Sequence, residues 1–133
     1  MTSHTSLELA ARNKRAVCEF YDLLFNGCEP EEAVARYVGD AYLQHNPHVP
    51  DGKQAVVDHF RRFVTEYPGK HVEVVRAIAE GDLVALHCHQ TWPGYPDFAV
   101  VNIFRCDDAG RIVEHWDVLQ EVPGHSVNGN TMF

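Results

Sequence analysis

A few side chains in this sequence have the types and spacing to do chemistry. Asp117 follows Trp116 and is the carboxylate set deep in an otherwise apolar run, where burial would raise its pKa toward the working range of a general acid or base. The plainer readings are a structural salt bridge or a contact on the outer face of a sheet. His45 and Asn46 stand where a short extended segment runs into Pro47. Imidazole there is a ready base and the amide a ready donor to an oxyanion, although Asn46-Pro47 also reads as a simple turn. His87 and His89 are two apart, so on a strand they share a face and make a pocket wall, an interface or a polar stripe. Added to His45 and a carboxylate, they also allow a His-based metal site, a pattern of low specificity. Asn102 lies inside Val100-Val101-Asn102-Ile103-Phe104, where an amide must find partners or face a wet pocket. Tyr42, Phe98, Phe104 and Trp116 would wall a flat ring, or simply fill the core. Glu114 is expected to pair with Arg105 or Arg111. His4, His48, His59, His71 and His125 fall in terminal, loop or exposed-helix settings and receive no role.

A chain of 133 residues, 45% hydrophobic and 23% charged, has the proportions of one globular domain. Its net charge of −8 repels phosphate backbones and anionic lipid, so neither nucleic acid nor a membrane is an expected partner. Met1–His4 lacks the basic cluster and apolar run of a signal peptide, and no stretch approaches bilayer-spanning length. A cytoplasmic protein is expected. Cys18, Cys28, Cys88 and Cys106 form no C-x-x-C pair and read as free, mostly packed thiols.

The elements that position these residues follow from periodicity. Thr5 and Glu8 have capping-box spacing, and Ala10, Val17, Phe20, Tyr21 and Leu24 recur at helical intervals up to Asn26-Gly27. Pro30 opens a short second helix closed by Gly39-Asp40. Asp51 and Gln54 again have capping-box spacing, before a third helix that ends at Pro68-Gly69. Residues 41–50, with two prolines, read as an extended segment running into a loop. From His71 the period becomes two, giving strands at 71–79, 82–92, 97–106 and 111–121 as an antiparallel meander. Helices first and strands second make an α+β domain, with the sheet wrapped around the helices. The tail after Pro123 reads as flexible.

A type I turn over Asp107–Gly110 would pair residue 107 with 111, so opposed residues sum to 218. Asn102 then faces Trp116, Phe104 faces Glu114, and Phe98 faces Gln120. Val101, Ile103, His115, Asp117 and Leu119 occupy the other side. A bulge would exchange the two sides over part of a strand.

The run from Ile103 to Gln120, with Ile103-Phe104-Arg105, Gly110-Arg111-Ile112 and Glu114-His115-Trp116, resembles the signature of the SnoaL-like polyketide cyclases, in the nuclear transport factor two-like superfamily. Tyr42-Leu43-Gln44-His45-Asn46-Pro47 resembles the segment these proteins place at the pocket mouth. The resemblance implies a cone, in which a curved antiparallel sheet closes with three helices around an apolar cavity. It also implies a homodimer through the sheet's outer face. The implied chemistry is cofactor-independent proton transfer beside a carbonyl, leading to aldol-type cyclisation, isomerisation or elimination of a small apolar carbonyl-containing ligand. The sequence departs from the cyclases where their acid/base aspartate aligns, because Gln120 stands there and an amide takes no proton at neutral pH. His45 and Asp117 are therefore the expected acid/base groups. Tyr42, Asn46, His87, His89, Asn102, Trp116 and Gln120 are the expected substrate contacts, with no metal or cofactor. A non-catalytic binder of a hydrophobic metabolite is the alternative.

Overall fold

Local chemistry starts and stops the helices. In the computed structural model, which describes residues 5–133, α1 (Ser6–Phe25) begins at the anticipated capping box. Glu8 N donates to Thr5 Oγ1 at 3.1 Å and Thr5 N donates to Glu8 Oε2 at 3.3 Å. Its stripe of Val17, Phe20, Tyr21, Leu24 and Phe25 is buried. α2 (Pro30–Tyr37) starts on its proline but stops before Gly39, because Val38 already has extended backbone. α3 (Lys53–Glu66) corrects the second capping box. Gly52 occupies the N-cap without a side-chain bond, while the Asp51 carboxylate accepts from Gln44 N at 2.7 Å. Gln54 donates instead to Asp58 at 2.9 Å.

The strands are β1 (Val38–Gln44), β2 (His71–Glu80), β3 (Leu83–Thr91), β4 (Phe98–Cys106) and β5 (Ile112–Glu121), in the order β1-β5-β4-β3-β2. β2 to β5 form the expected antiparallel meander. The correction is β1, which pairs with β5 in parallel and makes the curved sheet five-stranded and mixed rather than wholly antiparallel. Arg111 anchors this edge, its guanidinium donating to Val38 O at 2.8 Å and to Ala35 O at 3.1 Å. Gly39 is required there, since a Cβ would come within 2.8 Å of Val113 Cγ1.

The β4–β5 register is also corrected. Asn102 pairs with Asp117, Ile103 with Trp116, Phe104 with His115 and Arg105 with Glu114, but Cys106 pairs with Ile112. Val113 is thus an extra residue on β5, a bulge that shifts the later pairs by one. Asn102 and Phe104 therefore share the inner face with His115, Asp117 and Leu119, while Trp116, Val118 and Gln120 turn outward. Inside, Phe104 packs edge-on against Phe20 and Tyr21, and Tyr21 packs against Phe25. At the other end of the chain, the Phe133 ring lies over His89 at 3.9 Å.

Candidate functional site

Between the inner sheet face and the helices lies a cavity of about 230 Å³. Leu24 and Phe25 of α1 and Val56, Phe60 and Phe63 of α3 form its apolar wall, with Trp92 and Phe104 from the sheet. The polar groups converge from the strands and from the segment after β1. Asp117, His115 and Asn102 come from β5 and β4, and Gln44, Asn46 and His48 come from β1 and its exit.

Asp117 is held from one side. Asn46 Nδ2 donates to its two carboxylate oxygens at 3.0 and 3.1 Å, and the side chain is only 12% exposed. Burial pushes the Asp117 pKa up. The Asn46 hydrogen bond and the nearby His59 and His48 work in the opposite direction. Asn46 is itself fixed, since its N donates to Gln44 Oε1 at 3.0 Å and its Oδ1 accepts from His48 N at 2.8 Å.

His115, stacked on Tyr42, is the second buried titratable group of this wall. Burial lowers its pKa to about 4, with His45 adding to the effect, so the ring is neutral at pH 7. A neutral imidazole donates through one nitrogen only. His115 Nδ1 lies 2.8 Å from Gln44 Oε1 and Nε2 lies 2.9 Å from Asn102 Oδ1, so one of these two carbonyl oxygens accepts the single N–H. Asn102 Nδ2 in turn donates to Cys88 Sγ at 3.7 Å. On the far side Gln90 Nε2 donates to the Tyr21 hydroxyl at 2.9 Å, and burial raises the Tyr21 pKa.

His59 on α3 faces the same space. Its Nδ1 lies 3.2 Å from Arg62 Nη2, and a guanidinium can only donate, so the ring proton sits on Nε2. Burial, followed by the charge of Arg62, lowers the His59 pKa. Asp117 and a neutral His59 thus bring a proton acceptor and an N–H donor to one cavity.

Of the residues singled out from sequence, Tyr42, Asn46, Asn102, Phe104 and Asp117 meet in this cavity. The others do not line it. His45 stacks on Trp116 at 4.8 Å and bonds Glu114 at 2.7 Å, and Arg105 holds the other oxygen of Glu114. Those two hydrogen bonds, Arg105 first, pull the Glu114 pKa down. His89 bonds Asp97 at 2.7 Å, and His87 contacts Arg76. Gln120 is exposed beside Val118. Among the described residues no group of three His, Cys, Asp or Glu side chains is placed to hold a metal ion. Gln44, His48, His59 and His115 were missed as cavity residues. The one available signal was the polar Gln44 and His115 in strands that are otherwise largely apolar on the inner face.

Comparison with known proteins agrees with this geometry. The model of the SnoaL-like polyketide cyclase family matches residues 15–124. The chain belongs to that family. No curated protein matches it. Among solved structures, a candidate polyketide cyclase of Bacillus cereus ATCC 10987 is 22% identical with a TM-score of 0.73, over 88% of this chain and 79% of that one. TsrD from Streptomyces laurentii is 17% identical with a TM-score of 0.70, over 83% and 89%. An M. tuberculosis LEH-like epoxide hydrolase is 25% identical with a TM-score of 0.66, over 84% of each chain. SnoaL-like membership makes a small-molecule ligand and a small-molecule enzyme the frame for the site.

Proposed function

We propose that this SnoaL-like domain catalyses proton transfer at a carbon beside a carbonyl. The observation that carries the reading is Asp117, a carboxylate inside an apolar cavity with its pKa raised by burial. Its carboxylate takes the acidic α-proton, and the C–H electron pair moves into the enolate. The His59 Nε2–H donates to the developing oxyanion, as a neutral imidazole can. The enolate carbon then attacks a second carbonyl of the same molecule, whose C=O π pair becomes an alkoxide that takes the proton from Asp117; with a β,γ-unsaturated carbonyl compound, the dienolate instead takes that proton back from Asp117 at its γ-carbon. Cyclisation follows in the first case and isomerisation in the second. Asn46 orients Asp117, and Asn102 and Tyr42 shape the wall, so the steps draw on side chains alone. Gln120 lies outside the cavity, so its amide removes no group from this reaction. The cavity volume favours a small carbonyl compound.

The test is exchange of the α-proton of small 1,3-dicarbonyl compounds in D2O, followed by NMR. Wild type is expected to accelerate exchange, and Asp117→Asn to lose about 100-fold or more of that rate. Unchanged exchange in Asp117→Asn removes the assignment. Saturable binding without exchange in wild type would instead support a carrier of hydrophobic metabolites. Four unpaired thiols suit a reducing compartment, which supports a cytoplasmic site of action.

A further inference from the structure

A second concavity adjoins the cavity and is built from different chemistry. Phe63 and Trp92 wall the cavity on one side, and on the other they join Tyr67, Tyr95 and Phe98 around a groove of about 370 Å³. The rings stand across one another rather than in a stack. Phe63 meets Trp92 at 85° and Tyr67 meets Trp92 at 82°, both with centroids 5.2 Å apart. Tyr67 meets Tyr95 at 73° and 5.6 Å. In each such pair the edge of one ring rests on the face of its neighbour, and the faces left outside these contacts, on the exposed Tyr95 above all, carry the negative end of a quadrupole.

The groove is also prepared for a ligand rather than collapsed on itself. Tyr95 stays 60% exposed, although a tight turn in which Tyr95 N donates to Trp92 O at 2.8 Å holds its backbone. Trp92 is fixed by its indole N–H, which donates to Gln90 Oε1 at 3.3 Å. Glu121, at the end of β5, is the charged residue lining the groove, and no ion pair engages it among the described residues. Among the described residues no lysine or arginine lines the groove, and the whole chain carries −8. Aromatic faces, an unpaired carboxylate and an acidic protein all favour a cation that sheds water easily. A primary ammonium or a guanidinium carries three to five N–H groups, more than the Glu121 carboxylate and the Tyr67 and Tyr95 hydroxyls are placed to satisfy around one ligand, whereas a quaternary ammonium has none.

We propose that this groove is a binding site for a quaternary ammonium group, with the aromatic faces around its methyls and Glu121 balancing its charge. The site is independent of the acid/base reading of Asp117.

Choline and its neutral isostere 3,3-dimethyl-1-butanol separate charge from shape. Each is titrated into the protein while the Trp92 and Trp116 indole N–H resonances are followed by NMR. Choline is expected to move the Trp92 signal saturably and leave Trp116 in place, with the neutral alcohol binding about ten-fold more weakly. Tyr95→Ser and Glu121→Gln alter exposed side chains, and circular dichroism is to check that each folds. Each is expected to weaken choline by about three- to ten-fold. Equal affinity for the neutral alcohol would mean an apolar subsite and would overturn the proposal. A Trp92 signal that ignores choline, or variants that bind it as wild type does, would overturn it as well.

Discussion

His115 and Asp117 sit two residues apart on one strand face, and burial shifts them in ways that give opposite pH effects. The His115 pKa is depressed from 6.5 to about 4, so the unfolded chain takes up the proton first as pH falls. Its contribution is present above pH 6.5 and is lost progressively down to about pH 4, on the order of 3 kcal/mol in all. Asp117 has a raised pKa, so its ionisation costs stability at neutral pH and that cost disappears as pH falls through its folded value. The His115 effect is expected to dominate. Urea midpoints should drop between pH 7 and pH 4.5 in wild type and drop less in His115→Gln, which keeps an amide between Gln44 and Asn102. An equal drop in both proteins would show that His115 is not the group responsible. Asn102 and Asp117 were legible in sequence because each interrupts an apolar run. His48 and His59 were not, because their approach to Asp117 is made by α3 and the β1 exit folding over the sheet, and local spacing carries no trace of that.

Element boundaries were legible because periodicity, caps and turn residues are local. Thr5 and Glu8 cap α1, and β2 to β5 lie within about two residues of their expected spans. Two features were not legible, and both are non-local or irregular. The parallel pairing of β1 with β5 joins residues such as Val38 and Ile112, far apart in the chain, and the Val113 bulge depends on how β5 accommodates that edge. The bulge hides the site from a count along the chain, because side chains alternate and one extra residue exchanges every later inward and outward position. Deleting Val113 would make Ile112 and Glu114 consecutive opposite Cys106 and Arg105, the partners they already have, so His115 and Asp117 would keep facing the helices. The change falls instead on the β1 edge, whose register with β5 breaks between Val38 and Leu43. The deletion variant is therefore expected to keep a cooperative thermal transition at a lowered midpoint. A variant that loses its cooperative transition would show that the bulge is needed to seat β1 against β5.

The sheet that closes the cavity on its inner face leaves an apolar band on its outer face. Val118 is 76% exposed on β5 and Val101 43% on the neighbouring β4, while Ile78, 64% exposed, lies on β2 beyond β3 in the same sheet. Val101 and Val118 are directly paired, so their side chains form a continuous ridge rather than scattered spots. Contiguous exposed apolar surface on a soluble domain marks a place for association, and a self-complementary sheet face suits a two-fold dimer. Homodimerisation through this face is accordingly expected. It would add rigidity to β4 and β5, which carry Asn102 and Asp117 on the reverse side. Light scattering on the size-exclusion peak should give twice the chain mass for wild type and the single chain mass for Val118→Glu, since a carboxylate at the centre of the ridge cannot be buried against its own symmetry copy. The α-proton exchange rate of the monomeric variant should fall less than that of Asp117→Asn, because its cavity groups remain in place. A wild-type protein that is monomeric at high concentration would assign the ridge to another partner and leave the cavity chemistry untouched.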